Sequence, residues 1–246
     1  MSDQASGNAT PIPFNRPSLS GREERYLGEA LASGRLAGAG RFSRRCEKLL
    51  QTSIGAPRVL LTHSATAALE MACLLADLKP GDDVIMPSFA FVSSANAAAL
   101  RGAVPVFVDA RADTLNIDAA LIEPAVTART RAIMPVHYAG VGCDMAAIRQ
   151  VAERHDLIVI EDAAQGIGAR WRDWPLGAIG RFAALSFHET KNVIAGEGGA
   201  LIVNDPRDVE RAEVLLEKGT NRQKFLAGAV DKYTWIDMGS SFTCNE

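Results

Sequence analysis

The chain has little of what would mark it as a disulfide scaffold, a metal protein, a membrane protein or a nucleic-acid binder. Only four cysteines occur in 246 residues. Cys46, Cys73, Cys143 and Cys244 are scattered without a C-x-x-C pair, so neither a zinc site nor a disulfide framework is indicated, and a reducing cytoplasm is the expected setting. Lys and Arg total 26 against 29 Asp and Glu, a net charge of -3, which leaves no basic excess for a nucleic-acid surface. No apolar run is long enough to span a bilayer. Met1 to Thr10 is polar and lacks the apolar centre of a signal peptide, so residues 1–12 are expected to be a flexible extension ahead of one domain over 13–246. Neither G-x-G-x-x-G nor G-x-x-x-x-G-K-[ST] follows a strand, which disfavours a generic nucleotide-binding α/β protein. Internal repeats and low-complexity tracts are also missing. What is present, 48% hydrophobic and 22% charged residues, suits a compact enzyme.

Helical and extended patterns alternate along the chain. Helices are expected near Gly21 to Ser33, Ser43 to Thr52, Ala65 to Asp77, Ser93 to Arg101, Asp144 to His155 and Pro206 to Glu217. Strands are expected near Arg58 to Thr62, Asp83 to Pro87, Val104 to Asp109, Arg131 to Val136, Leu157 to Glu161, Arg181 to Phe187 and Ala200 to Val203. Strands separated by crossover helices imply an α/β fold with a mainly parallel seven-stranded sheet covered by helices, the last two strands forming an antiparallel hairpin around Lys191. Residues 34–40 and 228–239 combine glycine with charged or aromatic residues and read as functional loops.

Three segments carry chemistry. In Ser186-Phe187-His188-Glu189-Thr190-Lys191-Asn192, closed by Gly196-Glu197-Gly198-Gly199, an apolar strand delivers one amine into a glycine-rich turn. A lysine is ordinarily a solvating surface residue, so Lys191 gains meaning only from its company. Asp156 to Gly166 is a buried-strand pattern ending in acids, which puts Asp162 where ligands of open α/β sheets gather; capping the next helix is the plainer role for such an Asp. Arg58 to Glu70 reads as strand, Ser/Thr turn and helix, and its first helical turn offers free N–H groups to an anion beside Ser64, Ala65 and Thr66, or an ordinary N-cap. Taken jointly, a phosphate anchor, an acid and an amine at the strand ends of one sheet match what pyridoxal phosphate requires.

SFHETKN with GEGG, EDAAQG, THSATAALE and PSFAFVSSANA together resemble the DegT/DnrJ/EryC1/StrS family of sugar aminotransferases, over roughly Pro11 to Ser241. The resemblance implies the large domain of the aspartate-aminotransferase fold (pyridoxal-phosphate fold type I). It implies Lys191 as the catalytic lysine that condenses with the cofactor, Asp162 as partner of the pyridinium nitrogen and Gln165 as a contact to the ring hydroxyl. Ser64, Ala65, Thr66 and Ser186 would hold the phosphate, and Phe91 would stack on the ring, the alternative for Phe91 being core packing. Ser241 stands where many relatives have an asparagine that reaches the neighbouring subunit's cofactor phosphate, and a homodimer with shared sites is implied. His188 is expected to pack or to touch substrate rather than to catalyse. Arg222, Lys224 and Lys232 are candidates for the nucleotide diphosphate, or are ordinary surface charge.

Lys218 to Arg222, Val230 to Trp235 and Gly239 to Ser241 are similar to the dTDP-4-amino-4,6-dideoxygalactose transaminases of enterobacterial common antigen synthesis. The implied reaction is amination at C4 of a dTDP-4-dehydro-6-deoxyhexose with glutamate as donor. Family members continue well beyond Glu246 into a small domain, and Thr243-Cys244 departs from the subgroup's pattern. The competing expectation is therefore a truncated, inactive large-domain remnant that binds at most the cofactor or an intact subunit.

Overall fold

In the computed structural model, which describes residues 12–246, helices α1 (Glu23–Ala32) and α2 (Arg41–Ile54) precede the first strand, β1 (Arg58–Thr62). The expected extension over 1–12 lies outside the described residues, Ile12 apart. After β1 come α3 (Ala65–Leu75), β2 (Asp83–Pro87), α4 (Val92–Ala99), β3 (Val104–Val108), β4 (Thr130–Ile133), α5 (Met145–His155) and β5 (Ile158–Asp162). A small hairpin, β6 (Arg170–Trp171) with β7 (Trp174–Pro175), leads into β8 (Phe182–Ser186), β9 (Gly199–Val203), α6 (Val209–Leu216) and α7 (Arg222–Leu226). Neither the small hairpin nor α7 is anticipated from sequence. The expected helix over 206–217 divides into a 3₁₀ turn, Pro206–Asp208, and α6, because Pro206 starts the segment and Asp205 caps the Arg207 N–H.

The seven main strands form one sheet in the order β1-β9-β8-β5-β4-β2-β3. Only β9 runs against its neighbours; the β5–β8, β4–β5, β2–β4 and β2–β3 pairings are parallel. This is the mainly parallel sheet with one antiparallel insertion expected from the Lys191 hairpin.

Successive strand residues point to opposite faces, and the strands are apolar on both, which is why helices must cover both. Leu60, Met86, Ile160, Phe182, Ala184 and Leu201 join one core with α3, α4 and α6. On the other face Ile85, Ile133 and Val159 pack with Met145, Ile148 and Val151 of α5, while Val59, Leu185 and Ile202 pack with Leu50 and Ile54 of α2. Burying a Leu or Ile side chain contributes about 1.5–3 kcal/mol, so the double coverage fixes the sheet that carries the strand ends described next. Among the described residues no helix is long and apolar enough to cross a membrane.

Candidate active site

Four neighbouring strands, β1, β9, β8 and β5, bring Thr62, Gly199, Ser186 and Asp162 to one end of the sheet. Gly199, the first residue of β9, pairs with Thr62 at the end of β1 and with Ser186 at the end of β8, while Asp162 at the end of β5 pairs with Ala184. Strands lie about 4.8 Å apart, so the three steps from β1 to β5 span roughly 14 Å.

The turn after β1 leaves several hydrogen-bond donors without partners among the described residues. Ser64 is extended (φ -163, ψ 162), and its hydroxyl oxygen accepts the Ala67 N–H at 3.1 Å, which starts α3. That bond uses an acceptor lone pair and leaves the Ser64 O–H free to donate. The amide N–H groups of Ala65 and Thr66 have no hydrogen-bond partner among the described residues. Gly199 lies directly against the turn: a Cβ there would meet the Ser64 carbonyl oxygen at 2.6 Å, so only glycine lets β9 pass so close.

Helix α4, which follows β2, crosses over and ties this turn to the acid. Ser93 Oγ lies 2.7 Å from Thr66 Oγ1, and Ser94 Oγ donates to Asp162 Oδ2 at 2.6 Å. The other oxygen of Asp162 accepts the Ala164 N–H at 3.1 Å. Asp162 is 5% exposed and has no ion pair among the described residues. A nearly buried carboxylate with two donors and no cation is costly unless a further donor completes it, and a protonated ring nitrogen would do so.

Lys191 sits half-buried in the loop between β8 and β9, with no hydrogen bond or ion pair at its Nζ among the described residues. The loop is closed by Phe187 N–H to Gly198 O (2.8 Å), Glu189 N–H to Gly196 O (2.9 Å) and Lys191 N–H to His188 O (2.9 Å). Asn192 Nδ2 donates to Ile167 O at 3.0 Å, which fastens the lysine loop to the segment following Asp162. Gln165 in that segment accepts the Ala139 N–H through Oε1 at 2.7 Å, so its amide NH₂ remains available as a donor. Ser186 is buried and accepts the His188 N–H at 3.3 Å.

Phe91 is the N-cap residue of α4 and is 75% exposed, so its ring is not packed in the core. His188 is engaged within its own loop, Nδ1 lying 2.9 Å from Thr190 Oγ1 and Nε2 3.6 Å from Glu197.

Other predicted residues stand apart from this cluster. Ser241 is exposed and forms a β-bridge with Glu217, with no hydrogen bond to Lys191, Asp162 or the Ser64 turn. Arg222 pairs with the buried Glu217 (3.2 Å) and Lys224 with the exposed Glu210 (2.6 Å). Lys232 is exposed and has no ion pair among the described residues.

Sequence reasoning misses a buried pair next door. Glu161 and His137 are fully buried, with His137 Nε2 2.8 Å from Glu161 Oε2. Cys143 N–H points at His137 Nδ1 (3.2 Å), so the ring proton sits on Nε2 and is donated to Glu161. Glu161 also accepts the N–H groups of Gly177, Ile179 and Gly180 at 3.0, 2.7 and 2.6 Å. His137 N–H in turn donates to Asp162 O at 3.0 Å, so the pair braces the backbone of the acid.

The sequence profile of the DegT/DnrJ/EryC1/StrS aminotransferase family matches residues 17–243. A GDP-perosamine synthase from Caulobacter vibrioides is 39% identical over 208 residues, covering 85% of this chain and 56% of that protein. Among solved structures, 3-amino-5-hydroxybenzoic acid synthase superposes with a TM-score of 0.86 at 34% identity, over 93% of this chain and 59% of that one. NtdA from Bacillus subtilis, solved with bound cofactor PMP, does so with a TM-score of 0.86 at 32% identity, over 98% of this chain and 55% of that one. The chain thus spans little more than half the length of these relatives.

Proposed function

The chain belongs to the DegT/DnrJ/EryC1/StrS aminotransferase family, and from that premise we propose that it is the cofactor-holding part of an enzyme that moves an amino group from an amino acid to a nucleotide-linked keto-sugar. The observation that carries the reading is the pair of contacts from adjacent residues, Ser93 to Thr66 and Ser94 to Asp162, which places the anion turn and the acid at the two ends of one short bridge.

The residues present suit pyridoxal phosphate. The N–H groups of Ala65 and Thr66 and the hydroxyls of Ser64, Thr66 and Ser186 would hold its phosphate. Asp162 would face the ring nitrogen, Gln165 would donate to the ring hydroxyl and Phe91 would cover the ring. When bound, the cofactor supplies an electron sink and a carrier for the amino group. Lys191 would tether it through Nζ and then take the proton from the donor's alpha carbon.

For the sugar, the reading is a dTDP-4-dehydro-6-deoxyhexose aminated at C4 with glutamate as donor, supported by the motifs over 218–241. The relative of Caulobacter vibrioides is named for a GDP-linked sugar, so GDP and dTDP substrates belong in the same comparison. Exposed Tyr233, Trp235, Ile236 and Met238 would meet a second copy, which sedimentation would register as a dimer.

Addition of pyridoxal phosphate to the purified chain should give a yellow protein, and borohydride should bleach it and leave the cofactor's mass on the peptide containing Lys191. No chromophore, or a label on another lysine, would overturn the reading. Turnover of keto-sugar with glutamate then separates an active enzyme from a remnant that only holds the cofactor.

A further inference from the structure

Asp162 owes part of its orientation to Ser94, a residue of the PSFAFVSSANA stretch to which the sequence assigns no role of its own. Ser94 is fully buried, and its hydroxyl has a single partner among the described hydrogen bonds, Asp162 Oδ2 at 2.6 Å. A serine inside a helix commonly turns its hydroxyl back to its own helix's carbonyls, yet Ser94 makes no such bond. Its backbone N–H bonds Phe91 O at 3.3 Å, so Phe91 and Ser94 are joined in the first turn of α4. Ala164 N–H holds the opposite oxygen, Oδ1, from the turn after β5. With one donor on each oxygen, supplied by two different elements, the carboxylate plane is fixed and its remaining lone pairs have a set direction.

We propose, resting on the pyridoxal-phosphate reading above, that Ser94 is a positioning residue that aims Asp162 at the ring nitrogen of the cofactor, and that α4 thereby sets the acid and the ring-covering Phe91 in register. Ser94 does not touch the cofactor; it acts through Asp162. A residue of merely structural importance would affect every ligand of the pocket alike, whereas a residue acting through Asp162 affects only a ligand that has a ring nitrogen.

The test is a fluorescence titration of the full chain, as wild type, Ser94→Ala and Ser94→Cys, with pyridoxal phosphate and with its 1-deaza analogue, in which a C–H replaces the ring nitrogen. Loss of a hydrogen bond to a charged group is expected to weaken pyridoxal-phosphate binding about tenfold in Ser94→Ala. The isosteric Cys, a weak donor, should show a smaller loss of about threefold. Affinity for the deaza analogue should be the same in all three proteins. Equal losses for both ligands, or no loss for either, would overturn the assignment. If Ser94→Ala has no cooperative melt, the comparison is read on Ser94→Cys alone. A wild-type chain that binds neither ligand fails the cofactor reading itself; one that binds both while the variants lose neither fails only the role of Ser94.

Discussion

Thr66 Oγ1 and Ser93 Oγ lie 2.7 Å apart and lock the first turn of α3 to the first turn of α4. The two helices follow different strands, yet their N-terminal turns meet at the end of the sheet that carries Asp162. Thr66→Val keeps the branched shape but leaves the Ser93 hydroxyl, 9% exposed, without its partner. We expect a loss of about 1 kcal/mol in urea denaturation, together with weaker cofactor uptake. An unchanged midpoint would show that the two turns are not joined.

Gly199→Ala tests the close passage of β9. The added methyl would meet the Ser64 carbonyl oxygen at 2.6 Å, a backbone atom that has little room to yield. Overpacking of this kind costs about 1–3 kcal/mol, and here the displaced group is the backbone of the Ser64 turn. Stability and pyridoxal-phosphate affinity should fall together; wild-type values for both would mean that strand and turn are further apart than described.

Glu246 governs an acid-sensitive contact. Its carboxylate accepts the N–H groups of Gly40 (2.8 Å), Phe42 (2.7 Å) and Ser43 (3.1 Å) and the Ser43 hydroxyl, at the start of α2, where Gly40 offers no side-chain cap. Burial pushes its pKa up, but the hydrogen bonds from Ser43, Phe42 and Gly40 outweigh it and hold the group below the ordinary glutamate range. The contribution is therefore complete above the ordinary pKa and is lost as pH falls through the depressed one. Solvent screening limits it to about 1 kcal/mol at most. Urea denaturation of wild type and Glu246→Gln should differ by a constant amount near neutrality, and the gap should close in acid. A gap that widens in acid would contradict the contact.

The thiols report how tightly the core is sealed. Burial pushes Cys73 and Cys143 up to about 12, with the charge of Glu161 adding to the effect at Cys143; partial burial raises the Cys46 thiol too, but that residue is exposed to reagent. Iodoacetamide at mildly alkaline pH should modify Cys46 in the native protein and reach Cys73 and Cys143 only after unfolding, as read by peptide mass. Native labelling of Cys143 would mean that the His137–Glu161 pair is open to solvent.

Much of this architecture is legible in the chain because local signals and tertiary structure agree. The apolar runs of the main strands, the Ser64 cap and the strand–Lys191–glycine hairpin all have local causes, and each stands near its expected place. Ser94 is hidden because a serine in the alanine-rich stretch Val92–Ala99 reads as filler, and its partner lies 68 residues away. Glu161 is hidden by its neighbour. The two acids read as one acidic strand end, but side chains alternate across a strand, so Asp162 faces Ser94 while Glu161 points to the backbone of 177–180. Helix α7 is hidden because five residues between polar turns carry too short a pattern to distinguish from loop.

The insertion of β9 between β1 and β8 sets an order of events at the ribosome. Until synthesis has passed Val203, β1 has no neighbour in the sheet and β8, paired with β5 on one side, has its other edge open. β9 thus joins β1 to the rest of the sheet and, through Gly199, lies directly against the Ser64 turn. The turn at Ser64 therefore gains its neighbouring wall only once the stretch from Gly199 to Val203 has been made.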